Sequence, residues 1–429
     1  MDYKYKEGAT ADCGLNYCCR DESESGSGSI KAGKFGARNY RCDVPKSTVE
    51  AVLDAVVSHN PDYLFWTGDN TAHDDPFVSQ DEVNAELEAV VTVVSDKLVG
   101  FDLTVAMGNH DAFPNGQWDF TTEGPSFPGR EDLKQWVPES EWTRWDTHGY
   151  YVKDLPDLNT RIISLNTESC DFHNMMIWNQ LADANDHIKF IESNLKELEQ
   201  KDWKAIFVGH IPDECSHEYT ERFRALMDRY QKTIRFNMFG HVHTDIYKLS
   251  GSMADVNDPV GVLQVCGAIT TWLGNNPAYC VYELDKATML PVSRKTYYFD
   301  LDSANETGTP EWQLLTDWTT DFDLPDLSPS SFSAFTKKLE TEEMTTVDFL
   351  NRARRQPGGT SSCDDACMTD AVCSAKYMDP YSYTQCKGNP IYNWTGDFMG
   401  TFRQSMLEPW MRKVPSPTAQ YSEESFIEQ

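Results

Sequence analysis

YLFWTGDNTAHD, residues 63–74, is the stretch from which the fold can be read. Tyr63 to Thr67 form a short apolar run, and Gly68 ends it just before Asp69, Asn70 and His73. Such a run suits a strand buried on both faces, and a glycine followed by polar residues suits a turn that displays them at its carboxyl end. The arrangement recurs in LTVAMGNHD (103–111), AIFVGH (205–210) and IRFNMFGHVH (234–243).

Helical patterns fill the intervals. Val49, Val52, Leu53, Val56 and Val57 repeat at helical spacing behind Ser47 and Glu50, which read as a capping box. Further helices are expected at about 82–98, 185–200 and 219–230, with a strand at Arg161–Leu165. Strands alternating with helices predict an α/β fold. Gly261–Cys266 and Tyr279–Leu284 lack a long helix between them and read as antiparallel closing strands. Pro, Asp and Ser rise over 321–333, so the expected division is a main domain at 1–320, a helical cysteine-containing region at 321–413 and a disordered tail at 414–429. The segment 21–36, rich in Ser, Gly and charge, reads as a surface loop.

The chain has 429 residues, and 37 Lys plus Arg against 68 Asp plus Glu leave a net charge of -31. That balance argues against nucleic acid and anionic membrane surfaces as partners. At 40% hydrophobic and 12% aromatic, most of the chain has enough apolar material to fold. No apolar run of about 18 residues is present to span a bilayer. The 12 cysteines include no Cys-x2-Cys pair, which favours disulfides and an oxidising compartment over zinc. Triplets at Asn305 and Asn393 fit N-glycosylation. The start MDYKYKEG has no apolar segment of the kind a signal peptide requires.

Each polar cluster alone is explained as a strand-end turn. Together, Asp69, His73, Asn109, His110, His210, His241 and His243 fall where α/β sheets build their sites. A pair of divalent metals sharing one carboxylate needs oxygen and imidazole ligands from several rigid strand ends.

The order GDxxxH, GNHD, GH, GHxH resembles the calcineurin-like metallophosphoesterases, which implies a four-layer α/β/β/α sandwich. The flanks CGLNYCCR, YRCDVP, VGHIPDEC and FGHVHTD are similar to the acid sphingomyelinase and acid sphingomyelinase-like phosphodiesterases over nearly the whole chain. The resemblance implies that Asp69 bridges two metals, that Asn109, His210 and His241 hold one of them, and that His243 goes to the other. His73 and His110 match histidines that contact the scissile phosphate or protonate the leaving group. Ala72 stands where iron-binding purple acid phosphatases have tyrosine, which points to two Zn2+. The implied partner is a phosphodiester such as sphingomyelin, cleaved to ceramide and phosphocholine by a secreted or lysosomal enzyme. A nucleotide or pyrophosphate substrate is the alternative.

The family also implies the disulfides Cys13–Cys18, Cys19–Cys42, Cys170–Cys215, Cys363–Cys367 and Cys373–Cys386. Cys266 and Cys280 remain, free to pair across the closing strands. Its opening D-x-H motif is missing, and its histidine is expected immediately before Met1. A late start or trimmed chain explains this more simply than a natural pseudoenzyme. The saposin-like module of the lysosomal sphingomyelinase has no counterpart here. His148 and His173 are expected to be structural or surface histidines, and Trp136, Trp142 and Trp145 to pack in a core or loop rather than line a lipid-facing rim.

Overall fold

The computed structural model describes residues 1–13, 17–21, 28–38, 41–73, 78–120, 130–356 and 359–388. Asn393, the 414–429 tail and residues 22–27 of the polar loop lie outside the described residues.

The strands are β1 (Leu64–Trp66), β2 (Leu103–Val105), β3 (Tyr151–Leu155), β4 (Thr160–Ser164), β5 (Lys204–Val208), β6 (Ile234–Phe239), β7 (Ile246–Gly251), β8 (Pro259–Val265), β9 (Ala278–Leu284), β10 (Pro291–Tyr298) and β11 (Gln313–Asp317). One sheet has the order β3-β4-β5-β6-β8-β7, with β4, β5, β6 and β8 parallel and an antiparallel strand at each edge. A second layer holds the parallel pair β1-β2 and the antiparallel set β11-β10-β9.

Apolar faces dictate the layering. Ala106, Ile162, Ile206, Val208, Phe236 and Met238 meet Phe65, Tyr282 and Leu284 in the core between the two layers. The outer face of the six-stranded sheet is covered by the helices His187–Lys201 and His217–Arg229, through Ile191, Leu195 and Phe223. The helices Lys46–Ser58 and Gln80–Lys97 bury Val49, Leu53, Val90 and Val94 against β1 and β2. This is the α/β/β/α order. Among the described residues, no helix is long and apolar enough to cross a membrane.

Local chemistry differs from expectation at several points. Ser47 caps nothing: its hydroxyl donates to Lys34 O at 2.5 Å, and the helix begins behind Pro45. The capping box belongs to the next helix, where Ser79 and Glu82 satisfy each other's backbone amides. The segments expected as antiparallel closing strands lie in different sheets, since β8 runs parallel to β6 while β9 pairs with β10. The Cys266–Cys280 disulfide therefore ties the two layers together instead of crossing one hairpin. The other five disulfides join the pairs implied by the resemblance. Asn305 lies in the helix Leu301–Thr307, and its amide nitrogen, where a glycan would attach, donates to Gly36 O.

Apolar packing continues across residue 321. Phe332, Phe335, Leu339, Phe349 and Val372 from the C-terminal helices share one cluster with Tyr247, Leu249, Val262 and Trp318. Tyr247 and Phe332 have ring centroids 4.6 Å apart. Phe332 is fully buried, so Phe332→Ala is expected to cost about 3–5 kcal/mol of unfolding free energy in a denaturant titration. A loss below about 1 kcal/mol would mean that these helices are an appendage with no share in the main core.

Candidate functional site

The ends of β1, β2, β5 and β6 deliver their polar clusters to one place, and the backbone there is strained. Asp69, His241 and His243 adopt φ of 59°, 70° and 57°, the left-handed region that non-glycine residues enter at a cost of about 1–3 kcal/mol each. Asp111 offsets that cost around Asp69. Its carboxylate accepts from Gly108 N (2.8 Å), Asp69 N (3.0 Å), Asn70 N (2.8 Å) and Asn70 Nδ2 (2.9 Å). Gly108 has to be glycine, because a Cβ there would lie 2.1 Å from Asp69 Oδ1. His243 is held from below by Arg355, which donates from Nη1 to His243 O and from Nε to Asn276 O, each at 2.6 Å.

The donor atoms suit a cation. His210 commits Nδ1 to the carbonyl of Thr67 at 2.6 Å, so that nitrogen carries the proton. Its Nε2 then brings a lone pair to within 2.9 Å of Asp69 Oδ2 and 3.1 Å of Asn109 Oδ1. Asp69 Oδ2 is buried and has no hydrogen-bond donor among the described residues. His241 uses Nε2 toward Glu214 Oε2 at 3.0 Å, which leaves Nδ1, 3.0 Å from Asn109 Oδ1, as its coordinating atom. Two imidazoles, a carboxylate and an amide oxygen converge, and ligand atoms of Asp69, His210 and His241 lie within 4.8 Å of one another. Such a mixed set of nitrogen and oxygen donors suits zinc or a similar divalent ion. Burial alone would raise the Asp69 carboxyl, but the positive charge that His210 and His110 carry when protonated holds it well below the usual carboxylate range. His243 is buried, and its Nδ1 has no hydrogen-bond partner among the described residues, which suits it to a second position.

Two further histidines flank this group. His73 and His110 have ring centroids 4.3 Å apart, and His243 lies 5.0 Å from His73. His73 is fixed on three sides. Asp43 accepts from its backbone N at 2.8 Å and from Nδ1 at 3.0 Å, and Trp272 stacks on its ring at 4.6 Å. Asp43 also accepts from Tyr17 and Thr270 hydroxyls. Burial would raise its carboxyl, yet His73 beside it holds it far below the ordinary range. His110 Nδ1 faces Asn115 Nδ2 at 3.0 Å, an amide that can only donate.

All seven residues expected for chemistry are thus together. No role was expected for Asp43, Asp111, Glu214 or Arg355, although Asp111 ends the GNHD motif and Asp43 directly follows Cys42 in the bridge that anchors it. His148 is structural as expected, bonded to Asn185 and stacked on Tyr150. Trp145 is buried and Trp136 packs on Trp66, whereas Trp142 is 39% exposed.

A cavity of about 920 Å³ runs from this polar cluster between β1 and β9. Among the described residues β1 pairs only with β2 and β9 only with β10, so both strands turn unpaired edges toward it. Met1 is among the residues that line it, and its ammonium donates to Asn70 O at 2.8 Å.

Comparison with known proteins agrees with this geometry. The Calcineurin-like phosphoesterase family matches residues 10–245, and the Acid sphingomyelin phosphodiesterase C-terminal region matches residues 260–392. The chain is 27% identical over 421 residues to Sphingomyelin phosphodiesterase B of Dictyostelium discoideum, covering 92% of this chain and 64% of that protein. It is 26% identical to Sphingomyelin phosphodiesterase of Homo sapiens, covering 87% and 61%. With Cyclic GMP-AMP phosphodiesterase SMPDL3A of Homo sapiens it shares 25% identity, covering 85% and 84%. The chain spans less than two thirds of the length of the first two. A phosphoesterase domain followed by this C-terminal region, with strand-end metal-ligand motifs in order, makes the chain a member of the acid sphingomyelinase and acid sphingomyelinase-like branch of the calcineurin-like phosphoesterase family.

Proposed function

We propose that the chain is a phosphodiester hydrolase with a two-zinc centre, working in an oxidising compartment, outside the cell or in a lysosome, with sphingomyelin as the first substrate to test. The observation that carries this reading is the convergence of Asp69, Asn109, His210 and His241 with two histidines poised beside them. Six disulfides support the compartment. When bound, divalent metals supply Lewis acidity toward phosphoryl oxygens and lower the pKa of water.

The chain's own groups supply the rest. His73, whose Nδ1–H is held by Asp43, turns Nε2 outward as the nitrogen able to hand a proton to a departing alkoxide. His110, whose Nδ1 accepts from Asn115, keeps Nε2–H as a donor to a phosphoryl oxygen. A nucleotide substrate is the second reading, favoured by the similarity to a cyclic GMP-AMP phosphodiesterase.

The second metal position draws on Asp69 and His243, two ligands where more are needed. We propose that the cavity between β1 and β9 receives an extended segment carrying the D-x-H motif. The unpaired edges offer it backbone partners on both sides, and the apolar walls from Phe65, Phe236 and Tyr282 suit a buried strand.

Three outcomes test these statements. Asp69→Asn should remove most bound zinc and most activity together; full zinc binding in this variant, measured by elemental analysis, would show the assignment of Asp69 to be wrong. Extending the chain upstream of Met1 with a D-x-H segment should raise zinc content toward two per chain and raise turnover by orders of magnitude. If zinc content and rate stay unchanged, the cavity has another occupant. Finally, His73→Ala should lower sphingomyelin cleavage about 10²–10⁴-fold, with a smaller loss on a pyrophosphate bond, whose leaving phosphate needs no proton. Equal activity of this variant on both substrates across pH would remove the general-acid role.

A further inference from the structure

Beyond the metal ligands lies a second cluster that the motifs do not mark. Glu214 sits between two imidazoles, its Oε2 3.0 Å from His241 Nε2 and 3.4 Å from His173 Nδ1. His173 is held in turn by Asp171, whose Oδ1 accepts from His173 N at 2.9 Å and lies 3.1 Å from Nδ1. The four side chains form a line, Asp171–His173–Glu214–His241, that ends on the imidazole assigned to the metal.

The backbone under this line is stapled. Cys170 and Cys215 form a disulfide, and the residue adjoining each half-cystine, Asp171 and Glu214, carries one of the two carboxylates. Asp171 and Cys215 make an antiparallel bridge, Phe172 N donates to Glu214 O at 3.1 Å, and Ser216 N donates to Cys170 O at 2.8 Å. Gln117 adds a donor to His173 O at 3.0 Å. Both carboxylates thus stand on a short two-stranded clamp whose spacing the chain fixes independently of any metal.

We propose that Glu214 is a positioning residue for the metal centre: it holds His241 with Nε2 protonated and Nδ1 turned to the metal, and His173, anchored by Asp171, holds Glu214. A carboxylate on the outer nitrogen of a metal-bound imidazole fixes the tautomer and ring orientation and increases its basicity toward the metal. His241 has particular need of it, because its backbone is in the left-handed region and its ring has no other hydrogen-bond partner on that nitrogen among the described residues. The relay rests on the reading of His241 as a metal ligand, so its test is built to separate the two.

Zinc affinity of the full chain is measured by competition with a chromophoric chelator, with Asp69→Asn as the control for the centre itself. Glu214→Ala should weaken zinc binding about 10–100-fold, while Glu214→Gln, whose carbonyl still accepts from Nε2–H, weakens it less. His173→Ala should weaken it too, and the Glu214→Ala/His173→Ala double variant should be no weaker than Glu214→Ala alone, because His173 acts through Glu214. Nitrogen-15 histidine spectra of the zinc-loaded chain should show the His241 Nε2–H tautomer in the parent and lose that uniform state in Glu214→Ala. Loss of zinc in Asp69→Asn with unchanged affinity in folded Glu214→Ala overturns the relay and leaves the centre standing. Unchanged affinity in Asp69→Asn overturns the reading of the centre on which the relay rests. An extra zinc equivalent that vanishes in His173→Ala also overturns the relay, since Asp171, His173 and Glu214 would then be ligands themselves.

Discussion

The meeting of the His210 Nε2 lone pair with Asp69 Oδ2 and Asn109 Oδ1 is the contact on which the site depends. Lone pairs directed at lone pairs repel, and burying them without a donor adds the cost of lost hydration. A fold maintains such an arrangement only if surrounding structure imposes it and a cation, a metal ion or a proton on His210 Nε2, relieves it. Here the imposition is visible: the Thr67 carbonyl fixes the His210 tautomer, Asp111 gathers four donors around the Asp69 turn, and Gly108 leaves room for the Asp69 carboxylate.

The distant parts of the chain support the same few atoms. At the amino-terminal end, the Cys19–Cys42 bridge carries Asp43, and Asp43 carries His73. Close by, Arg20 joins buried Asp2 to Glu86, and Glu86 accepts from Ala72 N in the loop before His73. From the carboxyl-terminal helices, Arg355 reaches under the site to the His243 carbonyl, and Ala353 O accepts from Asp245 N. Asp245 in turn pairs with Arg294, fully buried against Trp318. The C-terminal region therefore takes part in holding His243 through Arg355.

The parallel strands β1, β2, β4, β5 and β6 and the helices between them were legible because each buried strand is one unbroken apolar run and each helix keeps a 3.6-residue repeat, whereas β8 was read as antiparallel. β10 was not, since Ser293, Arg294, Lys295 and Thr296 read as polar until Arg294 finds Asp245 and Gln264 inside the protein. Ser47 misled for a related reason: a capping serine and one bonded to a distant carbonyl are identical in sequence. In the site, the residues that converge were marked by glycine-led motifs at strand ends, which the resemblance assembled into one expected centre. Asp43 and Glu214 could not be found that way, because each acts through a hydrogen bond to a histidine far off in sequence, 30 residues away for Asp43 and 27 for Glu214. His173 was expected to be merely structural, and only the fold brings it to Glu214.

The central claim is that these strand ends form a cation site centred on Asp69, Asn109, His210 and His241. Anomalous diffraction at the zinc absorption edge, from crystals grown with zinc, tests it without reference to any substrate. The account predicts a strong peak within coordination distance of Asp69 Oδ2, Asn109 Oδ1, His210 Nε2 and His241 Nδ1, about 2.0–2.2 Å from each. Clear density for these side chains with no anomalous peak among them, or a peak confined to Asp171, His173 and Glu214, would contradict it.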